Sequence, residues 1–529
     1  MPDNVETVNV TIDGVAVSVP KNMRIIEAAE SIGKGISHYC YHPALSAPAM
    51  CRQCLVEVEG APKLQPACVT PVAEGQVVHT ESEKARAARN GNLEFYLLNH
   101  PLDCPVCDQS GECKLQDFVH AEGRKHGRLL EAKRVLGQDD FGGDVAYEGD
   151  RCIMCTRCVR FMREIAGNDA LCVVQRGNRS IIDTFFEDGL GDDLWAGNIV
   201  DICPVGALLS KDFLHKARVW DLDNTPSICP NCSQGCNIRI DTRDNIVQRL
   251  KPRQNPDVNS YWMCDYGRFR YEWFNVRDRI EAPLVREGDR HVATGWQQAV
   301  VALLERLKNV RGGVTAVASP MHGNEDIGLL ARLVKALGGG SLVYRSGRGD
   351  EEVCPGFPKL ARRRELAANG RGADVFGYKR VGDDKAQGGL SSAKVLIVLG
   401  DDLVDAPADF GKDADLFVYF GTSASPAARN AQFVLPITLF SEQEGTFTNF
   451  EGRVQRFWPA SQPPPLARPA WQVLGVLLSG LGDGDAPASA GAAFLRIGQL
   501  FGEFAGLSYE TLGSRGALLN DTVKIGAPQ

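Results

Sequence analysis

Arg151-Cys-Ile-Met-Cys-Thr-Arg-Cys-Val-Arg160 sets three cysteines at C-x2-C-x2-C, and Cys203-Pro204 follows 45 positions after Cys158. Two-cluster bacterial ferredoxins carry the run C-x2-C-x2-C-x3-C-P, whose fourth cysteine ligates the other cluster. On that template the fourth position of the first run is Met162. The three leading positions of a run ending at Cys203 are Asp193, Ala196 and Ile199. One cluster has been deleted while the distant fourth ligand of the other survives. Zinc ribbons give no reason for such a pattern. The stretch reads as a relic bacterial-type ferredoxin, an α+β unit with one 4Fe–4S cluster on Cys152, Cys155, Cys158 and Cys203.

Upstream lie two further sets. His100, Cys104, Cys107 and Cys113 are spaced H-x3-C-x2-C-x5-C. Pro101 drives His100 out of helical geometry, which lets the imidazole turn back towards the cysteines. Three cysteines and a histidine suit zinc, so spacing alone leaves zinc open here. If iron is bound, a neutral imidazole in place of a thiolate removes negative charge and raises the potential. Cys40, Cys51, Cys54 and Cys68, spaced C-x10-C-x2-C-x13-C, form the other set. They follow a hairpin in which Val8, Val10 and Ile12 alternate with polar residues, Asp13-Gly14 turns the chain, and Val15, Val17 and Val19 alternate again. A helix is expected near Arg24–Ser31. Hairpin, helix and cysteine loop suggest a plant-type, ferredoxin-like sheet of β-grasp type with a 2Fe–2S cluster. Its first loop is longer than the C-x4-C-x2-C pattern, and zinc remains the alternative.

Downstream, Cys229, Cys232, Cys236 and Cys264 form C-x2-C-x3-C-x27-C, a spacing that serves a 4Fe–4S cube or zinc. The four sets use 15 cysteines and one histidine with none shared; Cys172 and Cys354 are left over. Cys172, in Leu171-Cys-Val-Val174, reads as a buried small hydrophobe, and Cys354 as an incidental loop cysteine before Pro355. Cys-Pro pairs at Cys104, Cys203 and Cys229 stiffen their loops. Arg151, Arg157 and Arg160 flank the third set, either as a solvated helix face or as an offset to cluster charge. Beyond residue 280, the runs Val314–Ala318, Val395–Leu399 and Leu416–Phe420 read as buried parallel strands. Ala299–Leu307 and Ile327–Leu337 have helical spacing, so this part is α/β. Ser461–Ala470 and Gly482–Ala492 read as linkers, Gly338–Gly340 and Gly347–Gly349 as loops.

Composition narrows the field. The chain has 529 residues, 44% hydrophobic and 23% charged, with a net charge of −8. At roughly 150 residues per domain, three or four domains are expected. The acidic balance argues against nucleic-acid binding. No 18-residue apolar run and no secretory signal are found, so neither membrane insertion nor an oxidising compartment is expected. Sixteen of the 17 cysteines precede residue 265, a clustering that reads as metal ligation rather than disulfides. No G-x-G-x-x-G follows a strand and no Walker sequence is present. Binding of NADH or flavin and a catalytic residue are therefore not expected.

Tyr39-Cys-Tyr-His-Pro43, Cys51-Arg-Gln-Cys-Leu-Val-Glu-Val58, Asn99-His-Pro-Leu-Asp-Cys-Pro-Val-Cys-Asp108, the Arg151–Arg160 stretch and Gly197-Asn-Ile-Val-Asp-Ile-Cys-Pro-Val-Gly-Ala207 resemble the G-type iron–sulfur subunit of bacterial NADH–quinone oxidoreductase. That subunit is the counterpart of the 75 kDa subunit of respiratory complex I. The later part resembles the molybdopterin oxidoreductase superfamily, through Val395-Leu-Ile-Val-Leu-Gly-Asp401, Phe433-Val-Leu-Pro436, Glu444-Gly-Thr-Phe-Thr-Asn449 and Glu451-Gly-Arg-Val-Gln455. The resemblance implies iron–sulfur centres at the first three sets, hence one 2Fe–2S and, with the fourth set, three 4Fe–4S clusters. It implies electrons arriving from a flavin- and NADH-binding subunit and leaving to a ferredoxin-like subunit that leads to quinone. The place implied is the cytoplasmic face of the bacterial inner membrane, as a peripheral subunit. The expected layout begins with a 2Fe–2S ferredoxin-like domain over 1–82. A domain carrying the His100 and Cys152 sets follows over 83–222, then a 4Fe–4S domain over 223–279 and a shortened molybdopterin-oxidoreductase-like α/β domain over 280–529. That last domain is too short for a complete molybdenum enzyme, and no molybdopterin is expected. The alternatives are a molybdenum formate dehydrogenase-type subunit, an electron-input subunit of an NAD-linked hydrogenase, or a zinc-stapled scaffold.

Overall fold

The computed structural model describes residues 6–184, 187–382, 390 and 393–520, and the chain divides into two compact units. The first comprises the residues up to Leu222 together with Cys354–Phe357; the second holds the remainder.

In the first unit Thr7–Ile12 pairs antiparallel with Val15–Pro20, Val10 opposite Val17. The turn between them has positive φ at Asp13 (48°) and Gly14 (82°), the pair of left-handed residues a tight two-residue hairpin needs. Gln76–His79 adds parallel to the first strand, and Leu55–Val58 and Gln65–Pro66 complete five strands. Val8, Val10 and Ile12 all face inward, because alternate residues share one face of a strand. They pack on Ile25, Ile26, Ala28 and Ala29 of the helix Ile25–Ser31. The helices Glu83–Asn99 and Lys114–Glu122 are tied by Arg89, whose buried guanidinium donates to Glu122 at 2.8 Å and to Thr80 O at 2.5 Å. The positions vacated by the deleted ferredoxin run are filled by core. Met162 and Ile199 are 0% exposed and Ala196 is 5% exposed.

The second unit is built on an eight-stranded sheet. Its order is Arg290–Ala293, Leu284–Glu287, Phe433–Pro436, Leu416–Gly421, Val395–Leu399, Val314–Ala318, Gly340–Tyr344 and Lys379–Arg380. The last six run parallel, and the central ones read as near-continuous apolar stretches because both faces are covered. The expected helices are Trp296–Leu307 and Asn324–Ala336, each starting earlier than its apolar spacing because the N-terminal turn is polar. Gly340, read as loop, is a strand residue. A Cβ there would meet Val314 O at 1.8 Å, so only glycine lets the neighbouring strand approach. The two stretches read as linkers flank the helices Ala470–Gly480 and Ala490–Leu500, which share one core with the sheet. Among the described residues three smaller antiparallel sheets complete the unit: Asp223–Ile228, Asn237–Arg243 and Ile246–Pro252; Gly445–Thr448, Arg453–Phe457 and Ala517–Leu518; and the pair Glu352–Val353 and Ala361–Arg362.

Glu325 and Asp326 are fully buried in the first turn of Asn324–Ala336, where the helix dipole favours negative charge. Glu325 accepts from Thr446 N (2.9 Å), Thr446 Oγ1 (3.0 Å) and Tyr509 OH (2.9 Å). Burial nonetheless pushes its carboxyl up to about 8. The folded state therefore holds a proton that the unfolded chain, near 4.5, gives up. Stability from this group is full below about pH 4.5 and is lost as pH rises through about 8. Thermal melts between pH 5 and 9 should show Glu325→Gln gaining on the parent as pH rises; parallel profiles would refute the assignment.

Candidate metal centres

Cys40, Cys51, Cys54 and Cys68 converge beside the five-stranded sheet and are all buried. Left-handed Ala49 (φ 52°) and Arg52 (φ 55°) shape the loop. The four thiols interact in a row, Cys51 with Cys40, Cys40 with Cys68 and Cys68 with Cys54. The bond from Cys68 holds Cys54 below the ordinary thiol range, whereas the Cys40 contact and burial drive Cys51 up.

His100 ends the helix Glu83–Asn99 with extended backbone (ψ 127°), as the following proline requires. Cys104 and Cys107 lie in the turn beyond, Cys104 exposed and Cys107 buried, and Cys113 stands buried at the start of Lys114–Glu122. Burial pulls the imidazole down to about 4, so it is neutral at pH 7 and able to ligate. Its Nδ1 is buried without a hydrogen-bond partner, an orphan that a metal would satisfy. A Cβ on Gly206 would lie 2.2 Å from Cys107 Sγ, so that sulfur is seated directly on a glycine of the Cys203 loop.

Cys152, Cys155, Cys158 and Cys203 line one small cavity of about 20 Å³, together with Tyr147, Ile153, Ile182, Val205, Ala207 and Leu208. Left-handed Met154 (φ 52°) and Thr156 (φ 57°) alternate with the first cysteines and turn them to one side. Cys158 lies in the short helix Arg157–Phe161 and Cys203 ends Asn198–Ile202. Burial pushes Cys155 up to about 11 and Cys203 up to about 12. The solvated-face reading is overturned for Arg151 and Arg157, which are 7% and 3% exposed, whereas Arg160 is half-buried.

Cys229, Cys232, Cys236 and Cys264 of the second unit are each 4% exposed. Cys229 N donates to Cys236 O (2.8 Å), and Cys264 Sγ accepts from Gly267 N (3.4 Å) at the start of Asp265–Phe269. A Cβ on Gly267 would fall 3.0 Å from Cys229 Sγ and 3.6 Å from Cys264 Sγ, so this glycine leaves the sulfurs their room.

The two leftover cysteines are placed as well. Cys172 is half-buried, its thiol donating to Asp183 O at 3.5 Å, rather than fully inside. Cys354 is 0% exposed and donates to Ile165 O (3.4 Å) in the first unit. Sequence reasoning missed a pocket of about 340 Å³ in the second unit, with Ser319, His322, Asp401 and Asp402 in its wall. These residues follow Val314–Ala318 and Val395–Leu399, between which the strand order reverses, the usual ligand crevice of an open α/β sheet. Burial pushes Asp402 up to about 6; its Oδ2 has no hydrogen-bond partner, and His322 Nδ1 lies 3.8 Å from Asp326 Oδ2. Among the described residues no cysteine lines this pocket.

Family models match in series along the chain. They are a 2Fe-2S iron-sulfur cluster binding domain (residues 5–83), the NADH-ubiquinone oxidoreductase-G iron-sulfur binding region (89–128) and the ferredoxin-like domain of NADH-quinone oxidoreductase subunit 3 (142–209). The molybdopterin oxidoreductase Fe4S4 domain (222–275) and molybdopterin oxidoreductase (367–479) follow. The G-type subunit of the NADH-quinone oxidoreductase of Rickettsia bellii is 38% identical over 332 residues, 63% of this chain and 48% of the relative. This chain is similar to that subunit over the matched stretch. The 75 kDa subunit of the NADH-ubiquinone oxidoreductase of Reclinomonas americana is 40% identical over 341 residues, 64% of this chain and 49% of the relative. Iron-sulfur protein 1 of the mitochondrial NADH dehydrogenase of Solanum tuberosum is 40% identical over 351 residues, 66% and 47% of the two chains. The chain thus spans about half the length of the curated relatives it matches. Among solved structures, an NAD+-reducing NiFe-hydrogenase in the H2-reduced state matches 40% of this chain and 91% of its own, with 30% identity. Its TM-score of 0.37 is too low to inform the fold.

Gly206→Ala should force Cys107 Sγ from its seat. Iron content is expected to fall by about four atoms per chain, one cubane's worth. Unchanged iron would show that Cys107 is not a ligand.

Proposed function

We infer that this chain is the electron-relay subunit of an NADH–quinone oxidoreductase, taking electrons from a flavin-bearing subunit and passing them towards quinone through a ferredoxin-like one. It would hold one 2Fe–2S cluster on Cys40, Cys51, Cys54 and Cys68. Three 4Fe–4S clusters would sit on His100 with Cys104, Cys107 and Cys113, on Cys152, Cys155, Cys158 and Cys203, and on Cys229, Cys232, Cys236 and Cys264. Such centres, when bound, supply one-electron transfer. The observation that carries this reading is the gathering of cysteines away from water. The first and fourth sets are fully buried, the third lines one cavity, and an orphaned imidazole stands in the second.

The rest is the work of the chain's own residues. Four protein ligands per centre leave no open position for a substrate, so electrons pass without chemistry on a bound molecule. Pro101 and the left-handed residues Met154 and Thr156 fix ligand loops before a centre arrives. The apolar wall of Ile153, Ile182, Val205 and Leu208 excludes water from the third site. No described helix is long and apolar enough to cross a membrane, which suits a peripheral subunit. The domain layout expected from sequence, with divisions near residues 82, 222 and 279, belongs to the same proposal, as does a place on the cytoplasmic face.

Two measurements test it. NADH alone should leave the purified chain oxidised, and NADH with the flavin-bearing partner subunit should bring up its reduced-cluster EPR signals. Reduction by NADH without the partner, or none with it, would refute the relay. His100→Cys should keep a cluster and lower its midpoint potential, because a thiolate adds negative charge; an unchanged potential would overturn the imidazole assignment.

A further inference from the structure

Arg157 and Arg160 stand in one short helix whose first turn carries Cys158, yet their guanidinium groups reach beyond the third site. Arg160 Nη2 donates to Cys40 O at 2.6 Å and to Cys155 O at 3.2 Å. A single nitrogen thus touches the backbone of a ligand from the first set and of a ligand from the third. Its Nη1 donates to Ser46 O, again in the first-site loop. Arg157 repeats the pattern one turn earlier. Its Nη2 donates to Tyr41 O, next to Cys40, and its Nη1 to Ile202 O (3.1 Å), next to Cys203. Two lesser contacts join the same segments, Thr156 Oγ1 to Met50 Sδ (3.4 Å) and Ser46 N to Glu164 Oε2 (2.8 Å).

Charge makes this seam unusual. Arg157 is 3% exposed and its Nε is buried without a partner. Among the described residues neither arginine forms an ion pair with a carboxylate, whereas Arg89, buried as deeply, has both Glu81 and Glu122. A buried cation held only by neutral carbonyls is costly. Anionic clusters on either side would meet that need, and every electron added to one of them makes the demand easier to meet. Arginine rather than lysine suits the place, because its planar fork reaches carbonyls on both loops while staying charged.

We propose that Arg157 and Arg160 are positioning residues that lock the first and third sites together as one electron-exchanging pair and hold up the potentials of both. This rests on the cluster assignment above and adds that two ligand loops more than a hundred residues apart in sequence share their cations. An electron moves between centres without a bond forming or breaking, so the residues' part is to fix the gap and the field across it.

The test uses the whole chain, purified anaerobically with its clusters, and EPR-monitored redox titration. Arg160→Gln should keep both signals and shift both midpoints to lower potential. A shift confined to the third-site cluster, or none, would overturn the proposal. Arg160→Lys keeps the charge and loses the fork. It should hold the midpoints near the parent values while weakening the spin–spin interaction between the two reduced clusters. It serves too if the glutamine variant loses a cluster, and an unaltered interaction would then count against the proposal. Absence of binuclear and cubane signals from the parent protein would instead refute the cluster assignment itself.

Discussion

A thiol taken out of water resists ionising, and that constraint governs this molecule. Burial foremost drives Cys229 up to about 12 and Cys158, Cys236 and Cys264 well above the ordinary thiol range. Such sulfurs become thiolates only when a metal centre displaces their protons, so loading the sites and completing the fold are linked. The same burial gives the sites their use. Ligand loops preset by prolines and left-handed residues, with sulfurs seated on Gly206 and around Gly267, leave a centre little room to rearrange. In the first and fourth sets, where all four sulfurs are buried, a bound centre would also be kept from water.

Much of this is legible in the sequence, and for local reasons. Cysteine spacing marks ligand sets because loop geometry is short-range, and the Asp13-Gly14 hairpin and the buried parallel strands announce themselves through alternation and apolar runs. The deleted ferredoxin run can be read at Met162, Ala196 and Ile199, and these positions are packed as core. What is illegible depends on contacts between distant segments. Nothing near Gly206 in sequence says that Cys107 sits on it. The arginines resemble a helix face because their partners, Tyr41 and Cys40, lie more than a hundred residues away. Gly340 resembles loop because its need for glycine comes from a neighbouring strand.

The second unit carries an open parallel sheet with a reversal point and a crevice there, with Asp402 and His322 in its wall. The wall lacks cysteine among the described residues, and Cys354, the one thiol beyond the fourth set, packs in the first unit instead. What the unit does present is a fourth buried cysteine set beside a well-packed sheet.

Everything above turns on buried cysteine sets holding iron and sulfide rather than zinc. The most direct test is the iron, acid-labile sulfide, zinc and molybdenum content of the anaerobically purified chain. One binuclear and three cubane clusters correspond to about 14 iron atoms per chain, with as much sulfide and no molybdenum. Stoichiometric zinc with little sulfide would contradict that assignment.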